Sequence, residues 1–86
     1  MERHDRTKIG GLLSEVFQID ADEVTDDTAP ENVALWDSLN HLRMVTALEE
    51  LFGIRLTMKE IRSMISFEKI VEVVENHDRE KDISLK

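Results

Sequence analysis

Residues 37–53 read Asp37-Ser38-Leu39-Asn40-His41-Leu42-Arg43-Met44-Val45-Thr46-Ala47-Leu48-Glu49-Glu50-Leu51-Phe52-Gly53. Leu39, Leu42, Val45, Leu48 and Phe52 recur every three or four positions, which sets them along one side of an α-helix. Asp37 has a short side-chain acceptor suited to the first orphan N–H groups of such a helix, and Gly53 tolerates the left-handed turn that ends one. A helix over residues 38–52 is therefore expected, with a sharp boundary at each end.

Downstream, Ile54-Arg55-Leu56 reads as a short extended piece. Thr57 and Glu60 then have capping-box spacing, with Ile61, Met64 and Ile65 following on one side, which predicts a short third helix. Ser66 can cap a fourth helix whose buried stripe is Phe67, Ile70, Val71 and Val74, with Glu68 near its positive end. That helix is expected to fade near Asn76, leaving residues 77–86 as a polar, frayed tail.

Upstream, residues 19–37 hold no helical period. Pro30 interrupts them, and Asp20, Asp22, Glu23, Asp26, Asp27, Glu31 and Asp37 occur with no base among them. They read as a long acidic loop, pinned to the core by Ile19, Val24, Val33, Leu35 and Trp36. Before it, Ile9, Leu12, Leu13, Val16 and Phe17 form the stripe of a first helix over residues 5–18. Gly10 and Gly11 cost that helix about 1 kcal/mol each relative to Ala, so either it begins later or another backbone approaches it there.

The sum is an all-α fold, a four-helix bundle with a long first loop and a short third helix. A single domain over residues 1–86 is expected, its ordered core spanning residues 5–76. The 86 residues are 41% hydrophobic and 35% charged, enough for a core and a solvated exterior but too few for a large cleft. A net charge of −8 has the wrong sign for gripping nucleic acid. With no cysteine, disulfides, zinc-thiolate sites and thiol nucleophiles are excluded, so any thiol chemistry must be attached. No apolar run is long enough for a membrane span, and Glu15 interrupts the only candidate signal-peptide core; a cytoplasmic monomer is the expectation.

Few constellations suggest catalysis. Asp37, Ser38 and His41 have the residue types of a hydrolytic triad, but all lie within one helical turn. Adjacent Asp37 and Ser38 cannot readily flank a histidine on its two nitrogens, and no Gly-rich turn offers an oxyanion hole. His41 is expected at the surface, and His4 and His77 lack metal-ligand spacing. Asp20, Asp22 and Glu31 match three positions of a calcium loop, yet Val24 and Thr25 stand where an acid and a turn glycine are needed, so no metal site is expected.

Asp37-Ser38-Leu39 at the start of the second helix, followed by Leu48-Glu49-Glu50-Leu51-Phe52-Gly53-Ile54, resembles the acyl carrier proteins. The resemblance runs from about Ile9 to Asn76 and covers all four helices and the long loop. It implies that a separate phosphopantetheinyl transferase moves 4′-phosphopantetheine from coenzyme A onto Ser38, flanked by Asp37 and Leu39. The arm's thiol would then carry an acyl thioester to acyl-loading and acyl-processing enzymes, with no catalysis by the chain itself. A phosphodiester at that position would meet unsatisfied backbone N–H groups and the positive end of the helix dipole. A peptidyl or aminoacyl carrier loaded by a ligase, and an unmodified helical adaptor, are the open alternatives.

The same resemblance assigns partner docking to Asn40, His41, Arg43, Glu49, Glu50, Lys59 and Arg62. Asn40 and Arg43 stand where fatty-acid carriers commonly have acids, and Lys59 and Arg62 depart similarly. The docking face is partly charge-reversed, which suggests a restricted partner set and a specialised polyketide, lipid or glycoconjugate pathway. Leu35-Trp36-Asp37-Ser38 looks like the specialised stand-alone carriers, and Trp36 is expected to anchor the loop. Leu42, Val45, Leu48, Leu56, Ile61 and Met64 match inward positions that could shelter an acyl chain, with Ile61 reducing the space.

Overall fold

The helix over residues 38–52 forms because both its ends are closed locally. The Asp37 side chain accepts from the Asn40 backbone N–H at 2.9 Å, and Gly53 turns left-handed at φ 63° while its N–H reaches the Glu49 carbonyl. A computed structural model describes residues 3–84, with side chains described over residues 5–77. Its helices are α1 (Arg3–Phe17), α2 (Ser38–Phe52), α3 (Met58–Ser63) and α4 (Phe67–Ser84), with 3-10 turns at Ala21–Glu23 and Pro30–Asn32. Among the described residues there is no strand, and the all-α bundle with a long first connection and short third helix is the observed architecture.

The core gathers Ile9, Leu13 and Phe17 of α1, Met44, Val45 and Leu48 of α2, and Ile70, Val71 and Val74 of α4, closed below by Met64. Apolar residues from three helices thus leave water together, at about 25 cal/mol per Å² of apolar surface buried. The expected stripe of α2 is rotated. Leu39 and Leu42 are 61% and 55% exposed, whereas Met44 is fully buried and His41 half-buried. The three-and-four spacing admitted both faces, because α2 carries leucines on its outer side as well.

α4 is also longer than expected. It does not fade near Asn76 but continues to Ser84, because Asp78-Arg79-Glu80-Lys81 contains strong helix formers and no Gly or Pro breaks it. The two α1 glycines resolve differently from either expectation. The helix begins earlier, at Arg3, and no backbone crowds them: a Cβ on Gly10 would meet only the Phe67 ring at 4.0 Å, and one on Gly11 would meet nothing within 4 Å.

The acidic connection is built into the bundle. Arg6 of α1 pairs with Asp26 at 2.5 Å and lies 5.0 Å over the Phe67 ring. The Thr28 carbonyl accepts from the Phe67 N–H at 2.8 Å, so the loop caps α4, together with the Ser66 hydroxyl that accepts from Lys69. Val33 and Trp36 are buried, but Leu35 is 39% exposed and does not pin the loop as expected. Residues 33–36 form a turn closed by the Trp36 N–H on the Val33 carbonyl at 3.1 Å, which buries its two ends and leaves Ala34 and Leu35 outside.

α3 is fixed by its cap. Thr57 and Glu60 exchange backbone-to-side-chain hydrogen bonds at 2.9 and 3.1 Å, and the second Glu60 oxygen meets His77 Nε2 of α4 at 2.9 Å. Burial pushes the Glu60 carboxyl up, but hydrogen bonds from Thr57 and His77 and the His77 charge outweigh it and hold the carboxyl below its ordinary value.

Candidate functional site

Ser38 is the first residue of α2, and its side chain is exposed. The first four N–H groups of a helix have no intrahelical acceptor. Asp37 takes that of Asn40 with its side chain at 2.9 Å, while its carbonyl accepts the first regular intrahelical bond, from His41, at 2.8 Å. The N–H groups of Ser38 and Leu39 remain at the mouth of the helix, where the dipole favours an anion. A hydroxyl held here is reachable by another protein, and a phosphate attached to it would sit against those donors.

Behind the serine, Trp36 is 5% exposed and stacks on Phe17 with ring centroids 4.6 Å apart. Its indole N–H donates to His41 Nδ1 at 3.0 Å, and His41 Nε2 lies 3.0 Å from the Ile61 carbonyl. An imidazole that accepts at Nδ1 and donates at Nε2 is the neutral ring with its proton on Nε2. His41 is therefore not the surface residue expected from sequence. It is a half-buried strut joining the loop, α2 and α3, with neither nitrogen directed at Ser38. The Asp37 and Ser38 neighbours contribute nothing to it, so the three residues are not arranged as a triad.

The remaining expected residues separate into distinct settings. Asn40 is half-buried and donates to the Leu35 carbonyl at 2.7 Å, fixing the loop end against α2. Glu49 is half-buried and accepts from the Leu56 N–H at 2.9 Å, which spends that acid on the α2–α3 connection. Arg43, Glu50, Lys59 and Arg62 are exposed. Of the inward set, Val45, Leu48, Leu56 and Met64 are buried and Ile61 is half-buried against the core. Leu42 faces outward, a correction that follows from the rotation of α2.

Leu42 instead borders two surface depressions. One, about 460 Å³, is lined by Pro30, Trp36, Asp37, Ser38, His41 and Leu42. The other, about 390 Å³, runs along α2 between Leu39, Arg43 and Glu50. Sequence reasoning missed the first groove because Pro30 reaches α2 only through the folded loop; the proline itself was the available signal, since it fixes a turn beside the serine.

No family model matches the chain. Curated relatives do. Over 70 residues it is 30% identical to an acyl carrier protein of Lactobacillus johnsonii, covering 81% of this chain and 88% of the relative. It is 31% identical over 70 residues to polyketide-8 synthase acyl carrier protein 2 of Streptomyces avermitilis, covering 81% of this chain and 80% of that one. Among solved structures, holo acyl carrier protein from Geobacter metallireducens superposes with a TM-score of 0.79 at 21% identity, over 88% of this chain and 87% of that one. That likeness concerns the fold. Among the described residues, no helix is long and apolar enough to cross a membrane.

Proposed function

The chain belongs to the acyl carrier protein family, and from that membership we propose that Ser38 bears 4′-phosphopantetheine and that the protein presents acyl thioesters to partner enzymes without catalysing their reactions. The observation that carries this reading is the Ser38 hydroxyl, exposed at the start of a capped helix with two backbone donors beside it. In the transfer, the Ser38 Oγ–phosphorus bond forms and the diphosphate P–O bond of coenzyme A breaks. Adenosine 3′,5′-bisphosphate leaves, and the serine proton passes to the transferase. The residues here fit the product: a phosphodiester on Ser38 would lie near the N–H groups of Ser38 and Leu39, at an exposed position outside the core. The arm supplies the thiol that the cysteine-free chain lacks. Presentation on a flexible covalent arm raises the effective concentration of cargo at a partner's active site into the millimolar range.

A restricted partner set is supported by the surface charges. Arg43, Lys59 and Arg62 are exposed on α2 and α3, while Glu49 is held by the Leu56 backbone and Glu60 by Thr57 and His77, so Glu50 is the one exposed acid on these two helices. Reversing two of the bases, Arg43→Glu with Lys59→Glu, is expected to raise acceptance of the modified protein by general fatty-acid synthase enzymes. Unchanged acceptance would refute the selective role of these charges.

The primary test is incubation with coenzyme A, Mg²⁺ and a broad-specificity transferase, followed by intact-protein mass measurement. A gain of about 340 Da, absent in Ser38→Ala, is expected. No gain with several transferases favours an unmodified adaptor, and a cargo with a free amino group would reassign the chain to aminoacyl transport.

A further inference from the structure

We infer that the groove lined by Pro30, Trp36 and Leu42 is a resting site for the proximal, gem-dimethyl segment of the arm itself, which docks on the loop side of α2. The inference rests on the proposed modification of Ser38. Ser38 forms part of the groove's rim, so a group attached to its oxygen enters the depression without crossing any other element.

The lining sets the chemistry of the occupant. Leu42 is 55% exposed although its side chain is wholly apolar, and Pro30, also exposed, has no N–H to offer. The buried Trp36 indole also lines the groove, and its single polar atom is engaged in the hydrogen bond with His41. Asp37 stands on the rim, with its carboxylate engaged by Asn40. His41 also lines the groove, but both its ring nitrogens are engaged, by the Trp36 indole and the Ile61 carbonyl, so the surface on offer is mainly apolar, with Asp37 and Ser38 where a phosphate would stand.

The arm matches this order of groups. Immediately after the phosphodiester comes a methylene and then a quaternary carbon with two methyl groups, the one compact apolar unit of the arm near the serine. A volume of about 460 Å³ is within the range of small-molecule sites and holds such a unit with room to spare. A cargo acyl chain, attached at the far thiol, would have to fold back along the whole arm to reach the same place. Because the ligand is tethered, even a weak contact is populated at its millimolar effective concentration. The contact would aim the rest of the arm along the loop side of α2 and reduce the orientations a partner must select from.

The test is nuclear Overhauser spectroscopy on the coenzyme A-modified protein, its mass gain verified first, comparing wild type with Leu42→Asp and with Leu51→Ser. Leu51 is also exposed on α2 but does not line the groove. Cross-peaks from the two arm methyls to the Trp36 ring and the Leu42 methyls are expected in wild type and in Leu51→Ser. In Leu42→Asp the Trp36 cross-peaks are expected to be lost, with the mass gain retained. A modified wild type without methyl-to-Trp36 cross-peaks, or with methyl cross-peaks to Val45 and Ile61 instead, overturns this inference and leaves the carrier role standing. If loading a short acyl group displaces the methyls and places the acyl chain on Trp36, the groove belongs to cargo and the assignment to the arm is overturned. Absence of any mass gain removes both proposals at the earlier step.

Discussion

The two faces of α2 are built from the same residue types for opposite ends. The inner face carries Met44, Val45 and Leu48, all buried, with His41 bonded to both the loop and α3. The outer face carries Leu39, Leu42, Arg43 and Glu50, all exposed. The inner face fixes where the helix stands, and the outer face is what a partner enzyme would meet under the proposed function. Leucine on the outer face contributes little to folding and is free to serve another purpose.

This division can be broken by substitution. Leu48→Ala removes a fully buried side chain and is expected to cost about 2–5 kcal/mol, whereas Leu42→Ala on the outer face should stay within about 0.5 kcal/mol. Urea denaturation of both variants checks the pair, and equal losses would mean that the faces are not separate. His41→Ala comes next. It leaves the Trp36 indole N–H without its acceptor and should cost about 1–3 kcal/mol by the same assay, with Ser38 still modifiable.

Glu60 sharpens the comparison at the other end of the site, where α3 is held against α4. Its carboxyl is depressed below the ordinary value, so more charge is favoured in the folded state than in the unfolded one. The contribution is fully present above the unfolded value of about 4.5 and is lost as pH falls through the lower, folded value. Glu60→Gln keeps a capping side chain but removes that titration. The stability difference between wild type and Glu60→Gln should therefore shrink on acidification below that unfolded value, as followed by thermal melts across pH. A difference that is flat or grows toward acid contradicts the account. The remaining expected effect is a gain: Gly11→Ala places a Cβ in open space within α1 and should stabilise the protein by about 1 kcal/mol in the same melts.

The capped helix ends were legible in the sequence because caps are local, unlike the start of α1 and the end of α4. Asp37, Gly53, the Thr57–Glu60 pair and Ser66 each act within a few residues, and each closes its helix as the residue types dictate. The orientation of α2 was less legible. Leu39 and Leu42 fit a helical period as well as Met44 does, and only packing against the rest of the core, α1 above all, decides which side turns inward. The role of His41 was hidden for a similar reason, since its two partners lie five residues before it and twenty after it. At the site, the exposure of Ser38 could be read from its place after the cap, whereas the groove beside it depends on Pro30, eight residues upstream and brought near by the folded loop.

The most direct measurement is peptide mapping by mass spectrometry of the protein purified from its native cell. The account predicts that the peptide containing Ser38 carries phosphopantetheine, free or as a thioester, and that those containing Ser14, Ser63 and Ser66 do not. An unmodified Ser38 throughout, or the same group on another serine, would contradict it.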